Sequence, residues 1–283
     1  MNGLKDTIKK ILSFLQPKKK IKVEVPNLSI NELLKERIAL VTGGTSGIGF
    51  AIAEAYLKAG AKVIITGRSE DKIKRSVTKL SEFGDIEGII LDITKIDTFQ
   101  KVLSEAVKKF GKIDILVNNA GVSGALISKT TEEEFDTVLD TNLKGVFFLS
   151  KIMGRYMVDN SIPGNILNIS SASSIRPAAC GYTISKWGIR GFTMGLARTL
   201  LPYNIVVNAL APGPTATPML NKGKSQDDIS LSNTPSGRYA MPCEIANMAV
   251  ILVSDLSRLI VGDTIFMTGG AGNIFNGDID YPF

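Results

Sequence analysis

The sequence predicts an α/β protein with one doubly wound parallel sheet of about seven strands, and three observations lead there. Short β-branched runs alternate with stretches of helical period from Arg37 onward. Alternation of this kind calls for parallel neighbours joined by crossover helices that cover both faces of the sheet. The 283 residues, 44% hydrophobic and 21% charged, suffice for a sizeable core. Finally, no apolar run approaches the roughly 18 residues that a membrane-spanning helix needs.

The elements are justified in order. Residues 1–36 read as a separate basic extension: Leu4, Ile8, Ile11, Leu12 and Leu15 share one helical face, and Pro17 ends the helix before Lys18-Lys19-Lys20. Such an arm packs on the body or on a neighbouring subunit; a basic amphipathic helix on an anionic membrane surface is the alternative. Strands are expected at 38–41, 63–66, 88–91, 113–117, 165–169, 205–207 and 264–267, with helical stretches at 50–59, 71–83, 98–110, 132–157 and 182–200. They form one domain over 37–275, followed by a tail, 276–283. The long stretch from Pro212 to Met241 has no clear period and is rich in Thr, Ser, Pro, Asn and Gly, as a substrate lid over 213–241 would be.

Composition removes several chemistries. There is no histidine, which excludes Ser-His-Asp hydrolysis, histidine acid/base catalysis and histidine-liganded metal sites. Proton transfer must come from Tyr, Lys, Asp, Glu or Cys, and no metal is expected. The net charge of +6 resides in residues 1–22, and the rest of the chain is neutral, so the pI gives no case for nucleic-acid binding. Cys180 and Cys243 have no metal-like or disulfide spacing, which fits a reducing, cytoplasmic setting.

The first strand leads into Thr42-Gly43-Gly44-Thr45-Ser46-Gly47-Ile48-Gly49, where a helix begins. Glycines at 43, 47 and 49 allow a sharp turn, close approach to a pyrophosphate and tight helix packing, while the helix N-terminus offers N–H groups to phosphate. After the first of seven alternating strands, this is a dinucleotide site. The second strand ends at Gly67-Arg68 without an acid. An acid there would favour NAD(H), whereas Arg68 can hold a 2′-phosphate, so NADP(H) is expected and NAD(H) is the alternative. Farther on, Tyr182 and Lys186 stand one helical turn apart on one face. A tyrosine titrates at about 10, and a nearby ammonium favours its phenolate, so the pair can exchange a proton with an alcohol or alkoxide.

Six motifs in order, Thr42–Gly49, Asn118–Gly121 (NNAG), Asn165–Ser171 (NILNISS), Tyr182–Lys186 (YTISK), Asn208–Gly213 (NALAPG) and Met267–Gly270 (MTGG), resemble the short-chain dehydrogenase/reductase family over about residues 37–272. The resemblance implies a Rossmann-type fold and hydride transfer between nicotinamide and a carbonyl or secondary alcohol. It is strongest to 3-oxoacyl-thioester reductases and to sugar or polyol dehydrogenases. It implies that Tyr182 is the general acid/base, that Lys186 lowers its pKa and holds the nicotinamide ribose, and that Ser171 hydrogen-bonds the substrate oxygen. Asn142, in DTNLKG, would support a water-linked proton relay to the lysine. Thr45, Ser46 and Ile48 with the loop glycines would hold phosphate. Asp92 and Ile93 would meet the adenine, Asn118, Ala120 and Gly121 the adenosine side, and Pro212, Gly213 and Thr215 the nicotinamide side. Asn118 could instead tie strands together, and Asn142 could mark a helix kink. The segment from Ser171 to Tyr182 is shorter than is usual in the family, which leaves Ser170, Ser173 and Ser174 as alternatives to Ser171. Cys180 is expected to wall the pocket. A homotetramer, formed partly through the helix after Tyr182, is also implied. The rival reading is a non-catalytic nucleotide-binding sensor or scaffold on the same fold.

Overall fold

The computed structural model describes residues 32–219, 229–231 and 234–272. Along the chain lie β1 (Ile38–Val41), α1 (Gly47–Lys58), β2 (Lys62–Gly67), α2 (Glu70–Leu80), β3 (Ile86–Ile90), α3 (Phe99–Phe110), β4 (Ile115–Asn118), α4 (Glu132–Leu139) and α5 (Gly145–Asp159). They are followed by β5 (Gly164–Ile169), α6 (Gly181–Leu200), β6 (Ile205–Pro212), α7 (Pro242–Val253) and β7 (Thr264–Met267). The strands form a seven-stranded, wholly parallel sheet in the order β3-β2-β1-β4-β5-β6-β7.

The apolar runs read as strands because the sheet is covered on both faces. In β1, Ala39 and Val41 enter a core shared with Ile52 and Tyr56 of α1 and with Ile245 and Ala249 of α7. Its other two residues, Ile38 and Leu40, enter the opposite core with Phe99 and Leu103 of α3 and Leu149 and Met153 of α5. Successive side chains of a strand point to opposite faces, so one four-residue run serves two cores. The Tyr56 hydroxyl donates to the Ala249 carbonyl at 3.2 Å and ties α1 to α7.

At the amino ends of the strands, Arg37 forms a clamp. Its Nε lies 2.7 Å from Asp114 Oδ1, and a terminal nitrogen donates to Asn165 Oδ1 at 2.8 Å. The carboxyl ends are thereby left for the ligand cleft, as open α/β sheets require.

Three sequence expectations change. The extension's inner boundary at 36 falls inside the body, because Leu34 is fully buried and its N–H donates to Ala59 O at 2.9 Å. The amphipathic arm and the tail lie outside the described residues. The helix expected over 132–157 is divided by a π-helical turn, Asp140–Lys144, in which the Gly145 N–H bonds back to Asp140 O. The sixth strand continues to Pro212, which delivers that proline to the cleft. Within the expected lid, two isolated bridges pair Thr215 with Ala240 and Ser230 with Arg238. Among the described residues no helix is long and apolar enough to cross a membrane.

Candidate active site

A cleft of about 930 Å³ runs along the carboxyl ends of the strands. Its first wall is the turn between β1 and α1. Gly43 has φ +65°, in the left-handed region, and a Cβ there would come within 3.0 Å of the Ala120 backbone. A Cβ on Gly49 would stand 2.3 Å from Asn119 Nδ2 and 2.5 Å from Gly43 O. Gly49 therefore packs the helix onto the loop and does not itself line the cleft, whereas Gly43, Thr45, Ser46, Gly47 and Ile48 do. Thr42 and Asn119 lace β1 to β4: Thr42 Oγ1 accepts from the Asn119 and Ala120 N–H groups at 2.9 and 3.1 Å.

The start of α1 is bare. Ser46, its N-cap, makes no side-chain capping bond, and the first turn holds no acid. Its N–H groups and partial positive charge face the cleft, which suits a phosphate. At the neighbouring α2, by contrast, Ser69 accepts from the Lys72 N–H and Glu70 and Asp71 occupy the first turn. Arg68 and Lys72 both line the cleft at this end. Asp92 also lines it, and its Oδ1 accepts from the Thr94 N–H and hydroxyl at 3.0 and 2.8 Å. Burial pushes the Asp92 carboxyl up, but the two Thr94 bonds, with Arg68 and Lys95 nearby, outweigh it and hold the group below the usual carboxylate range. Ile93, Ala120 and Gly121 complete this wall.

At the other end, Tyr182 opens α6 and lines the cleft with Ser171. Burial raises the Tyr182 pKa, and the Ser171 side chain opposes that rise. Lys186, one turn on, is 6% exposed, and its Nζ donates to Ile169 O at 2.9 Å. Removal from water lowers its pKa to about 8. The ammonium lies 5.6 Å from the Tyr182 ring centroid. The lowering expected from the lysine is not seen: burial dominates the phenol's shift, and the ammonium is engaged with a carbonyl.

Geometry sets two of the serine alternatives aside. Ser174 turns its hydroxyl onto Ser171 O at 2.8 Å and is fully buried. Ser170 bonds the Lys186 carbonyl at 3.3 Å. Ser171 and Ser173 both line the cleft, and of the two it is Ser171 whose side chain acts on the Tyr182 phenol.

Three expected site residues lie behind the wall. Asn118 Nδ2 bonds Ser150 Oγ and Asn168 Oδ1, both at 2.8 Å, so it joins β4 to β5 and does not touch the cleft. Asn142 sits in the π-turn, where its amide clamps the Val122 backbone: Oδ1 accepts from the N–H at 2.8 Å and Nδ2 donates to the carbonyl at 2.9 Å. Its side chain marks the kink and positions the 121–123 segment. Cys180 is the N-cap of α6, with Sγ 3.3 Å from Thr183 Oγ1, and does not wall the pocket. Pro212, Gly213 and Thr215 line the cleft. Lys72, Asn119 and Arg176 line it although the sequence reading does not single them out. Asn119 stands inside a motif that points to it, whereas a lone lysine or arginine looks like any solvated surface residue.

A family model described as enoyl-(acyl carrier protein) reductase matches residues 43–272. The chain is 36% identical over 242 residues to a 3-oxoacyl-[acyl-carrier-protein] reductase from Thermotoga maritima, covering 84% of this chain and 98% of that protein. It is 35% identical over 246 residues to a 3alpha-hydroxysteroid dehydrogenase from Mediterraneibacter gnavus, covering 84% and 98%. Among solved structures, a single-residue variant of an actinorhodin polyketide ketoreductase with NADPH superposes with a TM-score of 0.78 at 30% identity, covering 84% of this chain and 97% of that one. With the parallel sheet, the glycine turn and the Ser171–Tyr182–Lys186 cluster in one cleft, these matches establish that the chain belongs to the short-chain dehydrogenase/reductase family of oxidoreductases.

Proposed function

We propose that the protein is an NADPH-dependent reductase of a ketone or aldehyde, with Tyr182 as its general acid. The observation that carries this reading is the presence of Ser171, Tyr182 and Lys186 on the wall of the one cleft that the bare start of α1 also lines. The residues present fit a dinucleotide. Uncapped N–H groups suit a pyrophosphate, Arg68 and Lys72 suit a 2′-phosphate, and Lys186 has the donor to hold ribose hydroxyls. When bound, the nicotinamide supplies the hydride. Ser171 then donates to the substrate oxygen, and Tyr182 delivers the proton as charge grows there. A phenol raised by burial stays protonated at neutral pH, as an acid catalyst for reduction must. Lys186 contributes positive charge beside that proton, and Asn142 keeps the Val122 wall in place.

The test is NADPH oxidation against a panel of 3-oxoacyl thioesters, sugars and other ketones, with Tyr182→Phe as control. Turnover by the wild type that disappears in Tyr182→Phe supports the mechanism. Tight NADPH binding with no turnover would favour a sensor or scaffold.

The two free cysteines, one of them exposed, support a cytoplasmic setting. The exposed apolar residues Ile184, Trp187 and Met194 of α6, with Phe147 of α5, support self-association through that face, as in a homotetramer. Light scattering on Trp187→Asp tests it, with a smaller particle expected.

A further inference from the structure

Between Ser171 and Tyr182 the chain makes a short connection, and Arg176 in it lines the cleft. Arg176 is exposed, and among the described residues its guanidinium has no ion-pair or hydrogen-bond partner; of the arginines only Arg68, at the far end, lines the cleft with it. The hydroxyl of Ser173, also on the cleft wall, is likewise without a partner, although its N–H bonds Ser171 Oγ at 3.1 Å. The root of the arginine is held: its carbonyl accepts from the Trp187 indole at 2.8 Å and its N–H donates to Ser173 O at 3.3 Å. Asp92 is the one acid on the cleft wall among the described residues, and it follows β3. Arg176 follows β5, four strand spacings away, or about 19 Å at the usual spacing. The phosphate donors of the dinucleotide site lie at the β1–β2 end.

We infer that Arg176, with the Ser173 hydroxyl, anchors an oxyanion carried by the carbonyl substrate, a carboxylate or a phosphate. This rests on the reductase reading above and narrows its substrate class to oxo acids or oxo phosphates. A guanidinium presents a rigid fork that matches either group with two parallel bonds, and a few placed polar groups set orientation in such clefts. The anchor binds the end of the substrate that does not react, so it acts on KM and leaves the chemistry at Tyr182 alone.

The experiment measures NADPH oxidation on matched pairs. Acetoacetate, 4-oxopentanoate and 5-oxohexanoate are each set against their methyl esters, and dihydroxyacetone phosphate against dihydroxyacetone. The acid and phosphate arms tell the two oxyanions apart, and the best chain length reports the reach of Arg176. The wild type is expected to favour the anionic member by about 10- to 100-fold in kcat/KM, the worth of a charged hydrogen bond. Arg176→Gln should abolish that preference through KM, Arg176→Lys should keep part of it, and NADPH affinity measured by fluorescence should not change. Equal efficiency on both members of every pair overturns the anchor and leaves the reductase reading standing. So does a preference that survives Arg176→Gln, or a loss of NADPH affinity that matches the loss of ketone affinity. Turnover of neither member of any pair overturns both readings together.

Discussion

At the β1–β2 end of the cleft the groups open to a ligand are backbone N–H donors at an uncapped helix start, with the exposed Arg68 and Lys72 beside them. At the β5–α6 end the groups that handle the proton are side chains withdrawn from water: a phenol raised by burial and an ammonium lowered to about 8. The first end uses dipoles and flexible charges that act only when a ligand arrives. The second stores its electrostatics in the fold, because removing a group from water shifts its proton affinity before anything binds. Damage at one end should therefore appear as lost affinity, and damage at the other as lost rate and altered pH dependence.

The largest effect should come from the buried end. Tyr182→Phe is expected to lower kcat by about 10²- to 10⁴-fold, the usual worth of a positioned acid, with NADPH affinity unchanged. A fall confined to KM would erase the distinction between the ends. Ser171→Ala should cost about 10²- to 10³-fold in kcat, as loss of one oxyanion donor does. If Ser173→Ala costs more, the donor has been misassigned.

Lys186 sharpens the comparison through pH. Its proton leaves at about 8, so kcat/KM for ketone reduction should fall about tenfold per unit above about pH 8. Lys186→Arg keeps its charge through this range, so whatever activity it retains should show no such limb. A wild-type profile flat to pH 10 would mean that the ammonium charge is not used. Stability follows the same sign. The folded pKa is below the ordinary 10.5, so the cost of burying the charge is full below about pH 8 and fades as pH rises to 10.5.

The open end should respond more gently. Gly49→Ala forces a methyl against Gly43 O and Asn119 and is expected to cost about 1–3 kcal/mol of stability, read as a lowered Tm, with weaker NADPH binding. Arg68→Ala should weaken NADPH by about tenfold and leave NADH nearly unaffected. Equal weakening of the two cofactors would remove the 2′-phosphate from the account.

The features that can be read in the sequence are those whose cause is local. Glycine spacing dictates the turn before α1, and an i, i+4 interval puts Tyr182 and Lys186 on one face whatever surrounds them. What stays hidden depends on segments that meet only after folding. Nothing near Asn118 announces Ser150 and Asn168 as its partners, and nothing in DTNLKG announces Val122 as the load on Asn142. The proximity of Cys180 to Tyr182 suggests a place on the wall, but the cysteine begins a helix and turns to Thr183. The phenol's upward shift is hidden for the same reason, since spacing reports neighbours and not the water they displace.

The π-turn at Asp140–Lys144 amounts to one residue more than a straight helix would need. Deleting one residue there would let α4 and α5 run on as ordinary α-helix, but α5 would rotate by about 100° and shift by about 1.5 Å. Leu149 and Met153 would leave the sheet, and the half-exposed Phe147 would swing toward other neighbours. Val122 would at the same time lose its clamp. The surplus residue thus reconciles two incompatible phases, that of α4 with Asn142 set by the cleft and that of α5 set by the core. It makes this stretch intolerant of length change even where it tolerates substitution.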